Sequence, residues 1–71
     1  MISADFVIYI AQLWKLPDFI SVLLLESAGI TLNRKNPRHR ALEHIRTTLW
    51  DQGIDKANNY LKENNLETLS L

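Results

Sequence analysis

Residues 17–29, PDFISVLLLESAG, set the tightest constraint on what this chain can fold into. Six of the seven positions from Phe19 to Leu25 carry large apolar side chains, and no other segment has as many in seven. The run lies between a proline, which suits the first turn of a helix, and Gly29, which suits the left-handed residue just past a helix end. Its polar members Ser21, Glu26 and Ser27 point in three directions around a helix, so the element is apolar on nearly every side. Such a helix either occupies the middle of a bundle or keeps a second face for a partner.

Chain length sharpens that choice. At 71 residues there is one domain, of a size at which a single core is only marginally stable. With no cysteine, neither a disulfide nor a thiolate metal site can supplement the core, and the same absence fits a reducing, cytoplasmic setting. What remains is economical helix packing or oligomerisation. The balance of 46% apolar and 23% charged residues excludes global disorder. Eight basic and eight acidic side chains cancel, which removes any overall field towards nucleic acid or membrane. The start, MISADFVIYIAQ, has no basic stretch or small-residue cleavage site of a signal peptide. The apolar run from Phe6 is broken by Gln12, Lys15 and Pro17-Asp18 before membrane-spanning length, so no membrane partner is expected.

The local signals predict an all-α bundle of four short helices, at about 3–15, 17–28, 37–52 and 54–65. Ser3 is the expected N-cap of the first, with Asp5 complementing the dipole in its first turn. Phe6, Ile10, Leu13 and Trp14 fall on one side of it, widened by Val7 and Ala11. Asp5, Gln12 and Lys15 collect opposite, and Ile8 sits towards that polar side. In the connection 30–36, Ile30 and Leu32 are expected to tuck inward. Asn36-Pro37 then combines an N-cap with a proline at the first helical position. The third helix carries a narrow stripe of Ala41, Leu42, Ile45 and Leu49, with Trp50 alongside and Gly53 closing it. The fourth shows Ile54, Ala57, Tyr60 and Leu61 at helical spacing. Leu66, Leu69 and Leu71 lie off that stripe and either fold back on the core or form a separate turn.

Charge is segregated although it sums to zero. Residues 34–46 hold Arg34, Lys35, Arg38, Arg40 and Arg46 against Glu43 alone. Basic residues at a helix start can bind phosphates, as in a helix-turn-helix reader of nucleic acid. Three features weigh against that reading: a connection longer than the usual turn, a pI near 6.7, and no interleaved aromatics for base stacking. The plainer expectation is a solvated face whose arginines pair with neighbours, for example Arg46 with Glu43 or Asp51. His39 and Glu43 stand four apart, but His44 points elsewhere, so no metal site is expected. No nucleophile–base set, glycine-rich phosphate loop or carboxylate pair in an apolar setting is present. An enzyme, a cofactor and a small-molecule substrate are therefore not expected.

The remaining signal is surplus apolar surface on the first two helices, with Trp14 and Trp50 available as binding anchors. The expected function is a protein–protein interaction module of docking, adaptor or inhibitor type, self-associating as a homodimer or binding another protein. Its expected contact residues are Phe6, Ile8, Ile10, Trp14, Phe19, Leu23 and Leu24, with Arg34, Lys35, Arg38 and Arg40 as a basic rim. The alternative is a small nucleic-acid-binding regulator using the basic stretch from Arg34 to Arg46.

Overall fold

The side that the first helix turns inward, with Val7, Ile8, Ala11 and Gln12, arranges everything else. In the computed structural model, which describes residues 3–70, the chain forms α1 (Ala4–Leu13), α2 (Asp18–Ser27), α3 (Pro37–Thr48) and α4 (Ile54–Glu63). No strand occurs among the described residues. α1 packs on all three other helices, and α2 also touches α3. The radius of gyration is 10.8 Å, close to the ~11 Å of a compact domain of this length.

The helix starts follow the local signals. The Ser3 hydroxyl accepts from the Phe6 N–H at 3.1 Å, and the Asn36 amide oxygen accepts from the Arg38 and His39 N–H groups, with Pro37 at the first position. The ends come sooner than expected. α3 stops at Thr48 rather than near residue 52. Thr47 turns its hydroxyl back onto the Glu43 carbonyl at 2.9 Å, and 49–52 close a turn through Gln52 N–H to Leu49 O. Gly53, with φ +91°, begins α4 instead of closing α3.

α1, α2 and α4 share one stop device, in which a left-handed residue follows the last turn and an apolar residue comes next. Lys15, Gly29 and Asn65 have φ of 52°, 70° and 58°. After them the N–H groups of Leu16, Ile30 and Leu66 donate to the carbonyls of Ala11, Leu25 and Leu61. Only one of the three left-handed positions is glycine, so only that stop was readable from residue type.

The core contains Val7, Ile8 and Ala11 of α1, Leu25 of α2, Ala41, Leu42 and Ile45 of α3, Ala57 and Leu61 of α4, and Leu69. Two expectations are corrected here. Ile8 is in the core at 1% exposure, and Gln12 is buried beside it. Successive helical residues are about 100° apart. The buried face of α1 is therefore centred on Ala4, Val7, Ile8 and Ala11, well round from the predicted Phe6–Leu13 stripe. The alanines let α1 lie close to its neighbours. Gln12 is tolerated because its amide donates to the carbonyls of Leu49 and Gly53, at 2.9 and 3.0 Å, holding the α3–α4 connection to α1. Of the two places open to α2, the structure takes the outer one. This helix contributes only Ser21 and Leu25 to the buried set, and the Ser21 hydroxyl has no partner among the described residues.

The tail does fold back. Leu69 is buried and its backbone is clamped by the Asn58 side chain, which accepts from Leu69 N–H at 2.6 Å and donates to Leu69 O at 3.3 Å. Leu66 packs against the core, and Leu71 lies outside the described residues.

Candidate functional site

Turning α1 to bury Val7, Ile8, Ala11 and Gln12 exposes its opposite side. Phe6, Leu13 and Trp14 are exposed, and α2 adds Phe19 at 65%, Leu23 at 55% and Leu24 at 38%. Phe6, near the start of α1, and Ala28, just past the end of α2, line one groove, so the two helices form an antiparallel pair. The groove has a volume of about 230 Å³ and is walled by Phe6, Val7, Ile10, Leu24, Ser27 and Ala28. No charged side chain lines it. Isolated exposed leucines are ordinary, whereas several large apolar groups around one apolar groove are the mark of a contact surface.

The expected contact residues divide accordingly. Phe6, Trp14, Phe19, Leu23 and Leu24 are exposed, Ile10 is half-buried in the groove wall, and Ile8 belongs to the core, out of a partner's reach. Leu13 is exposed on the same outer side of α1, and Ser27 with Ala28 lines the groove. These three were missing from the expected contact set. The signal for Ser27 and Ala28 was the presence of small residues one turn after Leu23 and Leu24, and Leu13 belonged to the predicted stripe of α1.

The basic stretch does not act as one rim. Arg38 lies across three parts of the chain. Its Nε donates to both Asp5 carboxylate oxygens at 3.0 and 3.1 Å, its Nη2 to Asp5 Oδ2 at 2.7 Å, and its Nη1 to the Glu67 carbonyl at 2.7 Å. The hydrogen bonds to Asp5, above all, raise its pKa further, so this fork stays charged. Arg46 is largely buried and pairs with Asp18 at the start of α2, where an acidic residue also suits the dipole. Arg46 and Arg34 both approach Glu43, at 4.0 and 3.9 Å. Lys35 and Arg40 are exposed, and neither makes an ion pair among the described residues. Arg38 is therefore a structural tie between α1, α3 and the tail, and leaves no free fork for an acidic partner.

His39 accepts the Asn33 N–H on its Nδ1 at 2.9 Å and so fixes the loop before α3. His44 stacks on Tyr60 with ring centroids 4.4 Å apart, joining α3 to α4. Among the described residues no three His, Cys, Asp or Glu side chains gather as a metal site. Within the same residues, no helix is long and apolar enough to cross a membrane.

This geometry defines a small four-helix all-α domain with an uncovered apolar face on its first two helices. No protein family, curated protein or solved structure matches the chain.

Proposed function

We propose that this protein is a non-enzymatic protein-docking module whose contact surface is the outer face of α1 and α2. One observation carries the reading: α2 holds six large apolar residues but buries only one of them, Leu25, and turns Phe19, Leu23 and Leu24 to solvent. Exposing that surface costs the free chain about 25 cal/mol for every Å² that a partner could cover. The groove between α1 and α2 gives the face a shape that a partner's side chain can enter, and the leucines beside it form a desolvated centre.

Placing a photo-crosslinking amino acid at position 23, with exposed Lys62 on α4 as the control position, tests this in cells. Adducts to a protein chain that form from position 23, vanish with Leu24→Asp and are absent from position 62 support the surface. Equal adducts from both positions, or adducts indifferent to Leu24→Asp, contradict it.

A further inference from the structure

The outer face of α2 has an order in it that bears on which partner it fits. Residues four apart lie along one ridge of a helix. One outward ridge reads Phe19, Leu23, Ser27 and its neighbour reads Ile20, Leu24, Ala28. Both run from a large side chain through leucine to a small one in the direction of the chain. Phe19 therefore stands proud at the start of α2, at 65% exposure. The recess walled by Ser27, Ala28 and Leu24 lies at its end. An apolar cavity of about 150 Å³ holds benzene, so the groove of about 230 Å³ has room for a phenyl ring.

A knob and a recess at opposite ends of one face are self-complementary under a two-fold axis. We propose that the occupant of this face is a second copy of the same chain. The two α2 helices run antiparallel across an axis near Leu23, and Phe19 of each copy fills the groove of the other. This inference rests on the docking surface proposed above and names its partner. Leucine meets leucine at the axis, and large meets small on either side. No charge lies on either ridge to oppose the contact. Asp18 is engaged by Arg46, and Glu26 lies off both ridges, beside the separate cavity between α2 and α3.

The available area suffices for a dimer. Phe6, Leu13, Trp14, Phe19, Leu23 and Leu24 expose on the order of 500 Å² of apolar surface, taking about 200 Å² per aromatic and about 120 Å² per leucine. Two copies that cover all of it bury on the order of 1,000 Å², the lower bound for a biological interface, so the expected dimer is a weak, reversible one.

Sedimentation equilibrium on the purified chain gives the first test. The expected result is reversible association to twice the 8.2 kDa chain mass. Leu24→Asp and the groove-filling Ser27→Trp should each weaken association at least tenfold while leaving the helical circular dichroism unchanged. Because the chain has no cysteine, single cysteines then report the arrangement. Leu23→Cys, at the axis, should oxidise to a disulfide dimer. Ser27→Cys should not, because its two copies lie about 12 Å apart, beyond the ~7 Å limit of a disulfide. A dimer that links through Ser27→Cys, or fails to link through Leu23→Cys, overturns the antiparallel arrangement. A chain that stays monomeric up to millimolar concentration overturns self-pairing. In that case, adducts from position 23 to a different protein leave the docking surface standing, and no adducts at all remove it too.

Discussion

α2 and α3 make opposite use of their side chains. α2 is far more apolar than α3, yet only Leu25 among its large residues is buried. α3 reads PRHRALEHIRTT, with six of its twelve residues basic or acidic, yet it inserts Ala41, Leu42 and Ile45 into the centre of the core. Total hydrophobicity therefore does not decide which helix is buried. What decides it is whether the apolar residues form one stripe that neighbours can reach. α3 has a narrow stripe and uses all of it. α2 has more apolar surface than any neighbour covers, and the excess lies outside.

The largest break in this comparison comes from trimming one leucine on each helix. Leu42→Ala, fully buried on α3, should lower the unfolding free energy by about 2–5 kcal/mol in urea titration. Leu23→Ala on α2, measured at dilutions where the chain is monomeric, should change it by less than about 1 kcal/mol. Similar losses at the two sites would place the face of α2 in a core that the structure does not show.

Gln12→Met comes next. It keeps the volume of the side chain but leaves the Leu49 and Gly53 carbonyls without their donor, at a cost of about 1–3 kcal/mol by the same titration. The arginines then separate by role. Arg38→Ala should cost about 1–2 kcal/mol, less than a buried pair because Asp5 is nearly half exposed, whereas Arg40→Ala should stay within about 0.5 kcal/mol. Thermal melts of both variants check this, and equal shifts would contradict the tie through Asp5. The smallest effect has the opposite sign. Lys15→Gly relieves a left-handed backbone at the end of α1 and should stabilise the protein by about 0.5–1 kcal/mol, seen as a higher Tm.

Much of the fold was legible in the chain because its helix signals are local. Ser3, Asn36-Pro37 and Gly29 act within a few residues, and each did what its residue type indicates. The rotation of α1 was not legible. Periodicity separates Phe6, Ile10 and Leu13 from Ala4 and Ile8, with Val7 and Ala11 between them, but it does not say which side makes the closer contact. Nor does it say that a buried Gln12 will find two carbonyls at 49 and 53. The fate of the arginines was hidden for a similar reason. Arg38 meets Asp5 from 33 positions away, and Arg46 meets Asp18 from 28, so the fold alone brings them together. The surplus on α2 was visible in the sequence, while the side of the molecule that carries it was not.

On the proposed docking reading, the uncovered face of α1 and α2 binds through apolar contact and the arginines of α3 do not drive association. The most direct test of that reading is sedimentation equilibrium of the chain and of Leu24→Asp in about 0.1 M and about 1 M salt, a range that screens charge contacts but not apolar ones. The expected result is association by the parent chain that is as strong or stronger in high salt, and none by Leu24→Asp in either. Association that falls away in high salt, or that survives in Leu24→Asp, would contradict it.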